Sequence, residues 1–325
     1  MMKLLNIYCN MKNIICSIFL LYTTCSFAKD REEMIPYGDM NQWQVRYIKE
    51  SSILGGKTKT LYAIAPNDTI SKNIPYRPII GNPWATSNTY AKWIVETAAA
   101  SAVTPEKRGN GYCCRLENKI THIKFGNIYA MVTGSIFFGL NLEPVGISAK
   151  EKPYTAIDFG IPYTQHPRAL KLDYKAIVEN VDFIVSTERN KIDTIYGQQD
   201  CVGIVVYLQH RWEDNSTGKI YAYRVGSASK QILESTTEWV NDCEIPIIWG
   251  DNQKSSILNP NEQLNATCMM THNSRGNMVK IEEVGYSSLA PTHVVLQISA
   301  SWAGAFRAYE GNILWVDNIR WVYEE

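Results

Sequence analysis

Apolar and polar residues alternate with a period of two in short runs along most of this chain. The clearest runs are His293–Ser299 and Ile313–Val322, which lie on either side of a glycine-containing loop. A period of two places successive side chains on opposite faces of a strand, so each run predicts a half-buried β-strand. Further strand candidates are Trp43–Ile48, Thr60–Ala65, Tyr112–Glu117, Ile128–Leu140, Leu170–Val178, Val202–Trp212, Ile220–Val225 and Val240–Trp249.

The segments between these runs are rich in Gly, Pro, Asn and Asp, which turns favour, and no long amphipathic helix interrupts them. The tetrapeptide Asn215–Gly218 predicts a hairpin turn between two of the strands. Many strands with few helices predict an all-β fold, an antiparallel β-sandwich. The proline-rich stretch Ile74–Pro83 is the only candidate boundary. We therefore expect residues 29–325 to form a single large domain, with a small N-terminal β subdomain up to about residue 80 as the alternative.

The composition is that of an ordinary globular protein, with 45% hydrophobic and 20% charged residues. Lysine and arginine (32) balance aspartate and glutamate (32), so the formal net charge is +0. This balance gives no electrostatic reason to expect nucleic acid or an anionic membrane surface as a partner. The 19 tyrosines and 9 tryptophans suit strands and a packed core. Aromatic residues in loops are better candidates for ligand contact.

The N-terminus has the order of a secretory signal peptide. Lys3 and Lys12 precede the apolar run Ile14–Tyr22, and the small-x-small sequence Ser26–Ala28 follows. This order predicts cleavage after residue 28 and export to the periplasm or the outer cell surface. The apolar run is too short to span a bilayer, so no transmembrane segment is expected. Cys25 leaves a lipid anchor as an alternative, although the residues before it fit a lipobox poorly.

Cleavage at this point leaves an odd number of cysteines, so they cannot all pair with one another. They are Cys113, Cys114, Cys201, Cys243 and Cys268. No CxxC motif and no Cys/His spacing typical of zinc occurs, and Asp317 alone is too few ligands for calcium. Glycine-rich phosphate loops are also missing. We therefore expect no metal and no cofactor, and interpret most of the cysteines as small buried residues.

Several segments carry the motifs of one bacterial family in the family's order. Trp84–Asn88 reads W-x-x-x-N, and Gly160–Lys175 reads G-x-P-[FY]-T-x-x-P-x-x-L-x-x-x-Y-K. A strand led by Trp239 runs into the sequence I-P-I, and Ser299–Asn318 reads S-x-S-x-x-G…G-x-x-L-x-V-D-N. Together with an N-terminal strand around Trp43, these segments resemble the PCMD family, named for a carbohydrate metabolism domain. The resemblance covers roughly residues 36–325.

The resemblance implies a β-sandwich of the jelly-roll type and a role in the use of glycans by polysaccharide-degrading bacteria. No activity is established for this family as a class. Some members carry an immunoglobulin-like domain in front, but too little sequence precedes Trp84 for one here. The chain also departs from the family near its end, where the common Gly-Asp pair is Gly304-Ala305. Any role of that aspartate is therefore absent.

Sugar cleavage would need more than these motifs. A retaining glycoside hydrolase needs two carboxylates about 5–5.5 Å apart, which on one strand calls for acids two positions apart. Asp242 and Glu244 come nearest, but a solvent-facing sheet explains them equally well. A polysaccharide lyase would need a Tyr or His base beside Lys or Arg. Such residues lie close together in sequence at His166, Arg168, Tyr174 and Lys175.

We expect a protein that binds glycan without cleaving it, with an oligo- or polysaccharide as its partner. Aromatic faces would stack on sugar rings, and polar side chains would bind the hydroxyls. A glycoside hydrolase or polysaccharide lyase with an unrecognised site is one alternative, and a structural or adhesion protein is another. The glycan and the oligomeric state are left open. The candidate ligand-binding residues are Trp84, Tyr163 and Trp302 for stacking, and Asn88, Arg168, Lys175 and Arg307 for polar contacts.

Overall fold

The computed structural model describes residues 30–93, 96–123, 127–146, 149, 151–189, 191–256 and 260–324. The predicted signal peptide (1–28) and the alternative lipid anchor at Cys25 lie outside these residues. The described residues contain no α-helix, and none of their helical turns could cross a membrane. Residues 32–323 form one compact unit.

The strands are numbered in chain order. The first half comprises β1 (Arg31–Met34), β2 (Trp43–Lys49), β3 (Thr58–Ile64), β4 (Asp68–Ile70), β5 (Trp84–Thr86), β6 (Thr89–Trp93), β7 (Glu96–Ala100), β8 (Val103–Arg108), β9 (Gly111–Glu117), β10 (Lys119–Ile123), β11 (Ile128–Val132), β12 (Ser135–Asn141) and β13 (Ile157–Phe159). The second half comprises β14 (Ile161–Pro162), β15 (Ala169–Ile177), β16 (Phe183–Ser186), β17 (Asp193–Tyr196), β18 (Val202–Glu213), β19 (Ile220–Ile232), β20 (Val240–Pro246), β21 (Ile248–Trp249), β22 (Met270–His272), β23 (Met278–Tyr286), β24 (His293–Ser299), β25 (Arg307–Ala308) and β26 (Ile313–Tyr323). Short 3₁₀ turns lie at Ser52–Leu54, Pro153–Ala156, Gly250–Ser256 and Pro260–Glu262.

Two large sheets form a sandwich. The six-stranded sheet has the order β20-β15-β26-β9-β8, with β1 beside β26. The ten-stranded sheet has the order β13-β12-β24-β18-β19-β23-β22, with β5, β14 and β21 attached to it. The chain passes between the two sheets several times, in the manner of a jelly roll, and the predicted all-β sandwich is confirmed.

Most strand pairs are antiparallel, but the sheets are mixed. β19 pairs with β23 in parallel, and so does β2 with β4. Between β19 and β23 the chain visits β20 in the other sheet, which is the kind of long crossover that parallel pairing requires. The predicted sandwich is thus antiparallel for the most part, with β19–β23 as a parallel pair within it.

The period-two pattern of the sequence builds the core between the sheets. Alternate residues of each long strand turn inward, so the inward positions are apolar and almost wholly buried. Truncating one of these side chains to alanine would cost about 2–5 kcal/mol. From the six-stranded sheet they include Leu170, Leu172, Leu314 and Val316, and from the ten-stranded sheet Ile136, Phe138, Ile204, Val206, Leu296 and Ile298.

The predicted strand bounds hold at some places and shift at others. The predicted strand His293–Ser299 coincides with β24. The predicted run Ile128–Leu140 is divided between β11 and β12. Gly134 lies at the break, where a Cβ atom would come within 2.2 Å of the Glu117 backbone. The predicted turn Asn215–Gly218 is confirmed, because it joins β18 to β19.

The smaller sheets are β2-β3-β4, β6-β7, β10-β11 and β17-β16-β25. The N-terminal strands β2, β3 and β4 thus have a sheet of their own. A division of the chain near residue 80 stays a prediction.

The five cysteines of the described chain are unpaired. Cys114 lies in the core, whereas Cys113 faces the other side of β9, where its thiol lies 3.5 Å from the Glu106 carbonyl oxygen. Burial raises the pKa of Cys113 and of Cys201 to about 12. These thiols therefore stay protonated and behave as small apolar side chains, as the sequence indicates. Cys268 differs, because it is exposed.

Candidate functional site

A cavity of about 360 Å³ lies on the outward face of the ten-stranded sheet. Its floor is built from three adjacent strands, β12, β24 and β18, in two rows across the sheet. Ser135, Ser299 and Gly203 are in register in one row. Phe137, Gln297 and Val205 are in register in the other. These are the positions that alternate with the core residues, so the same strands present an apolar face inward and a mixed face to the cavity.

Two hairpins form walls of this cavity. From β6 and β7 the side chains of Thr89, Ala91, Ala98 and Ala100 line it. From β10 and β11 Thr121, Ile128, Ala130 and Val132 line it. Most of these residues are small. The space therefore depends on small side chains at positions where a larger residue would fill it.

Trp302, one of the predicted stacking residues, lines the cavity. Its ring lies against Gly203, where a Cβ atom would come within 2.5 Å of Trp302 Cε3. A glycine at this place in β18 therefore lets the indole pack directly on the sheet. The ring is half-buried.

The loop that carries Trp302 is held by one buried carboxylate. Asp200 accepts hydrogen bonds from Ser301 Oγ at 2.8 Å, from Trp302 N at 3.2 Å and, through its other oxygen, from Tyr309 N at 2.8 Å. It also accepts a bond from the Cys201 backbone N–H at 2.9 Å. Burial raises the pKa of Asp200, although these hydrogen bonds act in the opposite direction. Asp200 thus fixes both sides of the loop that positions the indole.

Further aromatic rings extend the apolar part of the lining. Phe137 and Phe159 have ring centroids 6.1 Å apart, and Tyr154 lies 6.1 Å from Phe159. Phe306 lies beside them in the lining. Aromatic rings combined with a few polar groups are typical of sites for small ligands.

The polar groups of the lining are hydroxyls and amides. Among the described residues that line the cavity there is no Asp, Glu, Lys, Arg or His. A glycoside hydrolase that uses paired carboxylates would need two such groups in the cavity. The described lining does not supply that carboxylate pair.

Trp84 and Asn88 are corrections to the predicted site. Trp84 is 2% exposed, its Nε1–H donates to the Pro36 carbonyl oxygen at 2.8 Å, and its ring packs edge-on against Phe138. Asn88 is also 2% exposed. It donates to two backbone carbonyls and accepts from the Ala102 and Val103 N–H groups. Both residues hold the core together, and neither presents a surface to a sugar.

The remaining predicted residues lie outside the cavity lining. Tyr163 hydrogen-bonds to the Tyr323 hydroxyl at 2.9 Å and packs against the core. Arg168 pairs with Glu244, and Arg307 pairs with Glu188 at 2.8 Å. Lys175 projects from β15 opposite Trp315 of β26. The structure therefore does not bring the seven candidates together, and Trp302 alone of them lines the cavity.

The outward face of the six-stranded sheet carries the most prominent acidic pair. Asp173 and Asp317 are cross-strand neighbours, and both bind Arg108 Nη1, at 2.9 and 2.7 Å. Asp173 also accepts hydrogen bonds from Asp242 N and from Asn318 Nδ2. Both oxygens of Asp173 are thus engaged by protein donors. The second oxygen of Asp317 accepts from Asn318 N.

The environments of these two acids differ. Burial raises the pKa of Asp317, despite the hydrogen bond from Arg108. Burial also acts to raise the pKa of Asp173, but hydrogen bonds from the Asp242 N–H, Asn318 and Arg108 outweigh it, so that pKa is lowered. A pair with pKa values displaced in opposite directions is a pattern of acid–base sites. Here every carboxylate oxygen is already bonded to the protein, so the pair has a structural role.

The acids and bases singled out for catalysis are not assembled either. Asp242 pairs with Arg320, and Glu244 pairs with Arg168, so both lie in surface ion pairs. Tyr174 is 7% exposed and belongs to the core, whereas Lys175 follows it on the opposite face of β15. His166 stacks on Trp249 with ring centroids 3.5 Å apart. Strand alternation thus separates Tyr174 from Lys175, while His166 and Arg168 contact Trp249 and Glu244, so the lyase constellation is not assembled.

The described residues hold no cluster of three or more His, Cys, Asp or Glu side chains that could bind a metal ion. Asp317, considered above as a calcium ligand, is bonded to Arg108 instead.

Sequence reasoning missed most of the residues that form the cavity. Gln297 and Ser299 carried a usable signal, because they are the polar positions of the alternating run His293–Ser299. Asp200 and Tyr154 carried no such signal in the sequence. Asp200 hydrogen-bonds to the distant Ser301, and Tyr154 packs near Phe159.

Comparison with known proteins finds no matching family model and no matching curated protein. Among solved structures the chain is similar to two proteins provisionally named glycoside hydrolases. One, from Bacteroides thetaiotaomicron, gives a TM-score of 0.46 at 17% identity over 74% of this chain, which spans about 63% of that protein's length. The other, from Bacteroides vulgatus, gives a TM-score of 0.47 at 14% identity over 89% of this chain and 94% of that one. Likeness of this degree gives no evidence on activity.

Proposed function

We propose that this chain is an exported glycan-binding protein that holds a saccharide in the cavity without cleaving it. The observation that supports this proposal most strongly is the residue composition of the cavity lining. Trp302 and neighbouring aromatic rings face uncharged hydroxyl and amide groups, and no carboxylate occurs in the described lining. Sugars are recognised by this combination, since their rings have apolar faces and their edges carry hydroxyls.

The size of the cavity agrees with a small ligand. About 360 Å³ lies at the lower end of the range of roughly 300–1,000 Å³ that ligand sites occupy. One or two sugar rings would fit, so we propose that the cavity takes a short oligosaccharide or the end of a longer chain.

Two features of the sequence support the wider proposal. The order of basic, apolar and small residues over positions 1–28 favours export. The ordered motifs from Trp84 to Asn318 resemble the PCMD family, which is tied to glycan use. Membership of that family remains part of this proposal.

The adhesion alternative has one observation in its favour. Trp212 is 38% exposed, and its ring centroid lies 5.7 Å from that of Tyr221 and 5.2 Å from that of Tyr223. This exposed aromatic group lies outside the cavity lining. Trp212 is therefore a useful control position when binding is assigned to the cavity.

The test is a glycan-array screen of the mature protein, followed by product analysis of every hit. We expect binding of one or more oligosaccharides and no release of sugar products. Release of products would favour the hydrolase or lyase alternative. Absence of any binding, or binding lost in Trp212→Ala and kept in Trp302→Ala, would overturn the proposed site.

A further inference from the structure

Among the described residues, three amide side chains line the cavity, and two of them bind its walls. Asn141 Nδ2 donates to the Thr86 and Asn88 carbonyl oxygens at 3.3 and 3.1 Å. Asn261 Nδ2 donates to the Trp302 carbonyl oxygen at 2.9 Å. These two amides hold neighbouring segments in place, so the third is left for a ligand.

That third amide is Gln297, at the centre of the floor. It is half-buried, and it lies in register between Phe137 of β12 and Val205 of β18. Its side chain makes no hydrogen bond within the described part of the chain. A primary amide offers two N–H donors and a carbonyl acceptor. Flanked by apolar residues in the cavity, these groups are best satisfied by a ligand that is both a donor and an acceptor, as a hydroxyl is.

The absence of charge in the described lining limits what the ligand can be. A carboxylate or an ammonium group entering the cavity would lose its hydration, and none of the described lining residues carries an opposite charge. Burying an unpaired charge is strongly unfavourable. A neutral hydroxyl in the same place would lose less and would gain hydrogen bonds from the amide.

We propose that the cavity selects neutral saccharides over uronic acids and amino sugars, with Gln297 as the specificity-determining residue. This rests on the proposed function, because it specifies the sugar class that the same cavity takes. Gln297 binds ring hydroxyls, and the uncharged lining excludes sugars that carry a charge.

The test uses isothermal titration with defined trimers. The neutral probes are trimers of glucose, mannose, galactose and xylose, and the charged probes are galacturonic acid trimer and glucosamine trimer with its amines protonated. We expect wild-type protein to bind the best neutral trimer at least about tenfold more tightly than either charged trimer. This comparison needs no variant, so it stands even if a variant fails to fold.

A substitution that adds a negative charge at Gln297 on the cavity floor makes the test more specific. Gln297→Glu keeps the shape of the side chain and adds a carboxylate, so we expect it to bind glucosamine trimer about tenfold more tightly than wild type does. Gln297→Ala should weaken neutral binding without this gain. Gln198→Glu is the matched control, because Gln198 is exposed and lies outside the lining. Thermal melts of each variant establish that it is folded.

The failures can be told apart. Equal binding of neutral and charged trimers would overturn the selectivity and leave sugar binding intact. If folded Gln297→Glu bound glucosamine trimer no more tightly than wild type, the role of Gln297 would be overturned. The same would follow if Gln198→Glu gained as much affinity for this trimer as Gln297→Glu. Binding of no sugar, in this panel or on the array, would overturn the proposed function itself.

Discussion

The outward faces of the two large sheets differ in what they do with polar groups. On the six-stranded sheet the polar side chains are charged and bind one another. Arg108 is shared by Asp173 and Asp317, and Glu32 pairs with Lys171 and Arg320, each at 2.6 Å. On the ten-stranded sheet the described cavity lining is uncharged, and the side chain of Gln297 at its centre makes no hydrogen bond to a described residue.

The difference shows that a dense array of functional groups is weak evidence for a site. The charged groups around Arg108 and Arg320 on the six-stranded sheet satisfy each other, so a ligand arriving there would have to break existing bonds. In the cavity a ligand would satisfy groups that are otherwise unpaired. Binding is therefore favoured in a concave space where the protein leaves its hydrogen-bonding capacity unused.

The largest expected effect is on the free energy of unfolding, when a buried ion pair of the ten-stranded sheet loses one partner. Arg224 pairs with Glu283 at 2.5 Å, and their side chains are 2% and 0% exposed. Glu283→Gln would leave the guanidinium without its counter-charge, so it should lower the free energy of unfolding by about 3–5 kcal/mol. Denaturant unfolding measures this. Glu282→Gln next to it is the control, because its exposed pair with Lys280 contributes only about 0–1 kcal/mol. Equal effects would contradict the account.

Filling the cavity should give the next largest effect. Ala100 of β7 lines the cavity, and Ala100→Phe would occupy the space that a ligand needs. The phenyl ring and the sugar would compete for the same space, so titration of an array hit should show affinity weakened by about tenfold or more. The exposed Ala290, outside the lining, provides Ala290→Phe as the control. Unchanged binding by folded Ala100→Phe would place the sugar elsewhere.

Removing the indole should have a smaller effect. Trp302→Ala loses a stacking surface worth about 0.5–1.5 kcal/mol beyond area burial, so binding should weaken several-fold to about tenfold. Arg168→Ala and Lys175→Ala, which alter predicted contact residues outside the lining, should bind as wild type does. If these two variants lost affinity and Trp302→Ala kept it, the six-stranded sheet would be the binding face.

A further prediction concerns the dependence of stability on pH. Burial, with a contribution from the charge of Arg211, lowers the pKa of His293 to about 4. The unfolded value lies near 6.5. The unfolded chain therefore binds a proton more readily between these values, and stability is lost as the pH falls from about 6.5 to about 4. His293→Gln should flatten this part of the stability profile, which denaturant unfolding at a series of pH values would measure.

The sequence pattern alone was sufficient to predict the strands that have one apolar and one polar face. In His293–Ser299 the core residues Leu296 and Ile298 alternate with Gln297 and Ser299, so local pattern alone identifies β24. The sequence pattern did not predict β23, because this strand buries the charged residue Glu283. Its partner Arg224 lies on β19, and an isolated sequence does not show that a buried acid is paired.

The candidate site was harder to predict because it depends on contacts between distant segments. Trp84 follows a Gly-Asn-Pro segment and so resembles a loop residue, but β5 pairs with β12, and this pairing buries the indole in the core. The cavity likewise exists because the β6–β7 and β10–β11 hairpins contribute walls to a floor of β12, β18 and β24. Neither arrangement follows from local periodicity.

The most direct test of the central claim is a crystal structure of the protein with its best neutral oligosaccharide hit. The account predicts electron density for a sugar ring in the cavity, against the Trp302 indole and within hydrogen-bonding distance of the Gln297 amide. A sugar bound on the outward face of the six-stranded sheet, over Arg108 and the acids around it, with the cavity empty, would contradict it.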